Sequence, residues 1–231
     1  MLIGGLQPVT LLDYPQKVAA IIFTISCNMR CPFCYNPSLV LSSSIEKIQP
    51  LKEVDVINFL KKRIKYLDGV VITGGEPTLQ GDLFQFCQKI KKIGYLLKLD
   101  TNGLRPDVLK KLFYHQLVDY IAMDIKGSKE NYNKSAGVSV DYNNIQESVD
   151  LIINSKLPHE FRTTLVRGLH TYDDIIEMSK MISGADKYFL QSFRKNNNLV
   201  DQNFAGKSFS SKIMAEFKKI ATPYVGVCET R

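Results

Sequence analysis

The sequence predicts an α/β fold: a partial (β/α)6 TIM-like barrel of parallel strands, with the active site at the strands' C-terminal ends. Short β-branched or apolar runs alternate with amphipathic stretches, the pattern of parallel βα units. Unusual polar residues follow those apolar runs. Six such units are too few for a complete eight-stranded barrel. An open doubly wound sheet fits the same alternation, and in either fold ligands bind beyond the carboxyl ends of the strands.

Strands are expected near residues 18–25, 69–73, 96–100, 120–125, 160–166 and 187–193. Between them, Ile57, Leu60, Ile64 and Leu67 fall at helical spacing in 53–67, as do Leu83, Phe86, Ile90 and Ile93, then Ile145, Val149 and Ile152. A last helix carries Ile213, Phe217 and Ile220, and an extra strand is expected from Tyr224 to Cys228. Residues 35–52, 127–142 and 195–209 are polar loops of a length that is more often functional than idle. No repeat or linker divides the chain, so residues 1–231 are expected to form a single domain.

The chain has 231 residues, 45% hydrophobic and 23% charged, ordinary for a globular protein. The formal charge of +7 suits an anionic cofactor or an acidic partner protein; the lysines are dispersed, so nucleic acid is not expected. No apolar run reaches the ~18 residues that span a bilayer, and the N-terminus lacks a signal-peptide pattern, so no membrane association is expected. Five cysteines, three within eight residues, argue against a disulfide framework and for a reducing cytoplasm.

Those three cysteines follow the first strand as Cys27-Asn28-Met29-Arg30-Cys31-Pro32-Phe33-Cys34. Thiolates suit iron–sulfur clusters and zinc, and C-x3-C-x2-C lets one loop wrap a compact metal centre. A cubane has four irons, so three cysteines leave one iron open, as a catalytic metal requires. A zinc site closed by a distant fourth ligand is the alternative; Cys87, Cys228, His115, His159 and His170 are its candidates.

Further polar groups follow the later strands. Thr73-Gly74-Gly75-Glu76-Pro77 permits positive φ and close backbone approach. Asp100-Thr101-Asn102-Gly103 follows the third strand, where Asn102 alternatively caps a helix. Asp124-Ile125-Lys126 follows the fourth; its acid and base fall on one side of the strand and share a ligand or a plain salt bridge. Arg162 and Gln191 come after the fifth and sixth strands, each equally readable as structural. His170 is expected to be a solvated loop histidine, and Cys87 and Cys228 small core residues.

The cysteine loop resembles the C-x3-C-x-aromatic-C signature of the radical S-adenosylmethionine (SAM) superfamily, with Phe33 as the aromatic. The resemblance implies a [4Fe–4S] cluster on Cys27, Cys31 and Cys34, with SAM chelated at the open iron. Reduction of that cluster then breaks a C–S bond to give methionine and a 5′-deoxyadenosyl radical. Gly74, Gly75 and Glu76 resemble the family's GGEP motif, which receives the methionyl ammonium. Asn102, Asp124 and Lys126 resemble SAM-contacting elements of glycyl-radical-enzyme activating proteins.

With Gly4-Gly5-Leu6-Gln7, Leu11-Leu12-Asp13-Tyr14-Pro15 and Cys34-Tyr35-Asn36-Pro37, the chain is most similar to activating proteins of the anaerobic ribonucleoside-triphosphate reductase. Gln16 and Tyr35 stand where that family commonly has glycine and histidine. The resemblance implies removal of a hydrogen atom from a glycine Cα of a partner enzyme, with an electron donor such as flavodoxin or ferredoxin. The alternatives are another glycyl radical enzyme of the pyruvate formate-lyase type, a small-molecule or peptide substrate, or a non-catalytic iron–sulfur or zinc module.

Overall fold

The computed structural model describes residues 1–196 and 198–231. Its strands are β1 (Ile3–Thr10), β2 (Ala19–Thr24), β3 (Gly69–Gly74), β4 (Leu96–Thr101), β5 (Tyr120–Asp124), β6 (His159–Leu165), β7 (Lys187–Ser192) and β8 (Val227–Thr230), ordered in the sheet as in the chain. Its helices are α1 (Pro37–Val40), α2 (Ser42–Ile45), α3 (Glu53–Arg63), α4 (Leu83–Ile93), α5 (Pro106–Tyr114), α6 (Tyr132–Ala136), α7 (Tyr142–Asn154), α8 (Tyr172–Met181) and α9 (Ser211–Ala221). All six expected strands are present, as β2 to β7.

The contacts divide the chain into two compact units. The first comprises Met1–Asn28, Ser38–Thr101 and Asp107–Ile121. In it β2 and β3 pair in parallel from Ala19↔Gly69 to Thr24↔Gly74, and β3 pairs in parallel with β4 from Gly69↔Leu96. Strand β1, not anticipated, runs antiparallel to β2 with two register shifts. Its sequence, Ile-Gly-Gly-Leu-Gln-Pro-Val-Thr, has no period-2 alternation, and its Pro8 suits an edge strand. Alternate residues of the strands face opposite ways. Ala19 and Ile21 pack with Val71, Tyr14 and Tyr120 on one side, and Ala20, Ile22, Val70, Ile72, Leu97 and Leu99 are fully buried as well. Strands buried on both faces read as the continuous apolar runs seen in the sequence.

The helix registers differ in places from expectation. In α3 the buried residues are Val56 and Leu60, whereas Ile64 is exposed and Leu67 lies past the helix end. In α4 they are Leu83, Phe86, Cys87 and Ile90, and Gly94 ends the helix at a φ of 109°, which a side chain resists. The carboxylate of Asp119 accepts hydrogen bonds from Lys91 Nζ and from Leu97 N (2.7 Å), tying α4 to the start of β4.

The second unit comprises Met29–Pro37, Asn102–Pro106 and Ala122–Arg231. Here β6 and β7 pair in parallel from Phe161↔Tyr188 to Leu165↔Ser192, and β7 and β8 from Lys187↔Val227 to Leu190↔Thr230. The expected extra strand is real but starts later, at Val227. Helix α9 packs on α8, β7 and β8 through Met214, Phe217 and Ala221, a stripe that shares only Phe217 with the predicted one. The predicted 127–142 loop contains α6, and the 35–52 loop contains α1 and α2. In the 195–209 loop Asn197 lies outside the described residues; the others form no helix or strand beyond an isolated bridge, Arg167–Lys207.

Helix α8 starts with a reciprocal cap. Thr171 Oγ1 accepts from Asp174 N, and Asp174 Oδ2 accepts from Thr171 N at 2.8 Å. Asp174 Oδ1 also accepts from Ser128 Oγ and from Asn131 Nδ2 (2.8 Å), which pins the segment after β5 onto α8. Burial pushes the Asp174 carboxyl up, but hydrogen bonds from Ser128, Asn131 and Thr171 outweigh it and hold the group below its ordinary value.

Two tests follow from these contacts. A carboxylate depressed by folding contributes stability above its unfolded pKa of about 3.9, and that stability is lost as pH falls through the folded value. Asp174→Ala is therefore expected to cost about 1–3 kcal/mol near pH 7 and less in acid, read by urea unfolding at several pH values. Gln16 sits at a φ of 60°, where a side chain is strained. Gln16→Gly is expected to raise stability by up to about 1 kcal/mol, read as an upward shift in the denaturation midpoint.

Candidate active site

In the first unit, parallel pairing of β2 and β3 continues beyond both strand ends. Gly75 N donates to Thr24 O at 2.8 Å, and Glu76 N donates to Ser26 O at 2.7 Å. A Cβ on Gly75 would lie 2.0 Å from Ser26 O, so only glycine allows this approach. Gly74 has a φ of 113° and also lies close to Thr24, whose N a Cβ would meet at 2.5 Å. The Ser26 peptide is held from other sides too: Ser26 N donates to Leu39 O at 2.8 Å, and Gln80 Nε2 donates to Ile25 O at 2.8 Å. Ser26 itself carries a φ of 81°, an uncommon conformation for a non-glycine residue, immediately before Cys27.

Glu76 is 1% exposed. Its Oε1 accepts from Thr78 N (3.1 Å), Thr78 Oγ1 and Thr101 Oγ1 (2.8 Å). These bonds join the Gly-Gly-Glu-Pro turn to the end of β4. Thr78 was not singled out in the sequence, and Thr101 only as part of Asp100-Thr101-Asn102-Gly103, because nothing local marks either threonine as a partner of Glu76. On β4 the buried Lys98 Nζ pairs with Asp100 Oδ1 at 2.7 Å.

In the second unit, Cys31 is buried and Cys34 half-buried. Cys34 N donates to Cys31 O at 3.1 Å, and the loop is fixed further by Val200 N to Cys34 O (3.1 Å) and Asp201 N to Pro32 O (3.2 Å). Phe33 is buried with its ring centroid 6.2 Å from that of Phe204. Tyr35 stacks on Phe193 at 6.1 Å, and its hydroxyl accepts from Arg194 N at 2.7 Å, contacts that account for an aromatic ring at this position. Asn102 Oδ1 accepts from Leu104 N at 3.1 Å, an Asx turn; helix α5 starts only at Pro106, so Asn102 is not its cap.

Asp124 is shared by two cations. Its Oδ2 accepts from Lys126 Nζ at 3.0 Å and its Oδ1 from Arg162 Nε at 2.9 Å. Burial raises the Asp124 pKa, but the charges of Arg162 and Lys126 prevail and hold it well below the usual carboxylate range. Burial would lower Lys126, yet the charges of Asp124 and Cys31 push it above its ordinary value. Both groups are therefore ionised across the neutral range.

His170 departs from expectation: it is buried. Its Nδ1 accepts from Val166 N at 3.0 Å and its Nε2 lies 2.9 Å from Lys126 O, so the proton sits on Nε2 and steadies the Lys126 carbonyl. Burial pushes its pKa down, which favours that neutral form. Gln191 Oε1 accepts from Thr164 Oγ1 at 3.4 Å. Cys87 and Cys228 are core thiols pushed up by burial to about 12 and about 11.

The donor chemistry fits an iron–sulfur cluster. Three soft thiols, at Cys27, Cys31 and Cys34, lie within eight residues of sequence, and in the second unit the buried Tyr132 hydroxyl has no hydrogen-bond partner. Among the described residues no three His, Cys, Asp or Glu side chains form a group suited to one metal ion. A cubane places each thiolate on a separate iron, so its ligands need not converge on a single point.

Polar groups at the carboxyl ends of parallel strands define an α/β enzyme of the barrel type. The chain belongs to the radical SAM superfamily, whose family model matches residues 21–182. It is accordingly an enzyme whose cofactors are a [4Fe–4S] cluster and S-adenosylmethionine. It is 32% identical, over 97% of its length and 93% of the relative's, to a Methanocaldococcus jannaschii protein named "putative glycyl-radical enzyme activating enzyme". A second protein so named in that organism is 29% identical over 96% of this chain and 83% of its own. Among solved structures, Streptococcus suis SuiB bound to its precursor peptide SuiA has a TM-score of 0.71 at 13% identity, over 91% of this chain and 48% of that one. That likeness, with others of its kind, gives this chain the partial barrel fold of radical SAM enzymes. Among the described residues no helix is long and apolar enough to cross a membrane.

The Gly75 contact can be tested directly. Gly75→Ala is expected to displace the Ser26 carbonyl and cost at least about 2 kcal/mol in denaturant unfolding. Gly81→Ala, whose Cβ meets nothing within 4 Å, is expected to stay within about 0.5 kcal/mol of the parent.

Proposed function

We propose that this chain activates a glycyl radical enzyme, with the anaerobic ribonucleoside-triphosphate reductase as its partner. In this reading residues 1–231 act as one domain in the cytoplasm. Cys27, Cys31 and Cys34 hold the cluster with one iron left open. Phe33, Gly74, Gly75, Glu76, Asn102, Asp124 and Lys126 surround SAM, and flavodoxin or ferredoxin supplies the electron. The observation that carries the reading is near full-length similarity to a relative named for glycyl-radical enzyme activation, together with the run of motifs from Gly4 to Lys126, which departs from the reductase-activating pattern at Gln16 and Tyr35.

When bound, the cluster and SAM supply a 5′-deoxyadenosyl radical, which takes a hydrogen atom from a glycine Cα of the partner. The chain's own groups bind and orient. Asp124 keeps Lys126 protonated, so the ammonium offers donors to an anionic group and takes no part in proton transfer. Arg162 keeps Asp124 ionised from its other oxygen. Glu76, committed through Oε1 to Thr78 and Thr101, holds the Gly-Gly turn in shape so that backbone groups face a ligand.

Anaerobic reconstitution with iron and sulfide, reduction, and mixing with the reductase is expected to give 5′-deoxyadenosine and a glycyl-radical signal in electron paramagnetic resonance. Cys31→Ala is expected to abolish both. Lys126→Gln is expected to weaken SAM binding about tenfold or more, the loss of a charge-assisted hydrogen bond, measured by anaerobic calorimetry. A radical formed only on a pyruvate formate-lyase type enzyme would change the partner. Deoxyadenosine formed only with a small metabolite or peptide would overturn the activase reading.

A further inference from the structure

We propose that the Tyr132 hydroxyl donates a hydrogen bond to sulfur at the Cys31 corner of the iron–sulfur cluster and thereby raises the cluster's reduction potential. The inference rests on Cys31 being a cluster ligand and concerns a residue that none of the recognised motifs includes.

Tyr132 opens α6 and is 1% exposed. Its hydroxyl and that of Ser135 are the buried side-chain polar atoms without a hydrogen-bond partner among the described residues. The two are three residues apart and so share one face of the helix. Leaving a hydroxyl buried and unpaired costs about 1–3 kcal/mol, and folded proteins keep few such groups. A pair on one face marks a place where an acceptor belongs.

The position of α6 identifies that acceptor. Arg30 N donates to Ala136 O at 2.8 Å. Gly137, with a φ of 69°, lies so close to Arg30 that a Cβ would meet the Arg30 carbonyl oxygen at 2.0 Å. The residue before Cys31 is thus locked to the end of the helix that carries Tyr132. The Lys126 backbone N–H faces the phenol oxygen, which leaves the hydroxyl's own proton to be placed, and the charged groups acting on the phenol are Lys126, Cys31 and Asp124. The Lys126 ammonium is a donor only and the Lys126 carbonyl is engaged by His170, while the Asp124 oxygens take charge-assisted bonds from Arg162 and from Lys126. Sulfur at Cys31, the residue next to the Arg30 lock, is the acceptor we assign to the hydroxyl proton. Burial keeps the phenol protonated far above neutrality, so it serves as a donor.

A donor aimed at cluster sulfur stabilises the more negative, reduced state, and such bonds are among the protein's levers on Fe–S potential. Tyr132 is therefore a positioning and tuning residue. It eases the electron transfer on which the proposed activity depends.

The test is a redox titration of the reconstituted cluster, followed by electron paramagnetic resonance, in the parent protein, in Y132F, and with 3-fluorotyrosine incorporated at position 132. Y132F is expected to make reduction about tenfold less favourable at a fixed potential, a shift of ~59 mV downward for a one-electron couple. The fluorinated ring, a stronger donor of nearly the same size, is expected to shift it upward. Iron content and thermal midpoint are expected to match the parent, which separates tuning from a packing defect. If Y132F does not retain a cluster, the fluorinated protein decides alone. An intact cluster with an unmoved potential, or one moved in the opposite sense, overturns the inference and leaves the cluster reading standing. A parent protein that takes up no [4Fe–4S] cluster overturns both.

Discussion

The contact on which the rest depends is the one between Gly75 and the Ser26 carbonyl. Strands β2 and β3 stay hydrogen-bonded past their formal ends because Gly75 has no side chain to hold them apart. That pairing, with Leu39 and Gln80 holding the two ends of the Ile25–Ser26 peptide, fixes the backbone that delivers Cys27. Ser26 accepts a left-handed conformation there because the surrounding hydrogen bonds over-determine it. The Gly-Gly-Glu-Pro segment thus has a structural role of its own, apart from the ligand contacts proposed for it.

Electrostatics organises the second unit in a comparable way. A lone Asp124 would be costly to keep ionised where it lies, and a lone Lys126 costly to keep charged. Together with Arg162 each makes the other's charge favourable. His170 adds a neutral brace at the Lys126 carbonyl, and Asp174 braces the following segment through Ser128 and Asn131. Lys126 is fixed both by its own side chain and by the backbone on either side of it.

Much of the fold was legible in the chain. Six parallel strands appeared as apolar runs because burial on both faces removes the need for polar alternation. Edge strand β1 did not, since its glycines and proline give no periodic signal. Helix α8, with its Thr171 and Asp174 cap, also escaped notice, although that cap is a sequence-level start signal. Stripes in α3 and α9 were only partly right, sharing Leu60 and Phe217 with the buried faces: several apolar side chains compete for burial on those helices, and helical spacing alone does not choose among them.

The cysteine spacing, the Gly-Gly turn and the Asp-x-Lys pair are local in the sequence, because one loop or strand end carries each of them. From them alone the sequence determined the superfamily and its cofactors. The burial of His170, the anchoring of Glu76 by Thr78 and Thr101, and the orphaned Tyr132 hydroxyl were decided by tertiary structure. Each depends on which distant segment packs against the residue, and hence on whether water or protein supplies its hydrogen bonds. No spacing along the chain encodes that.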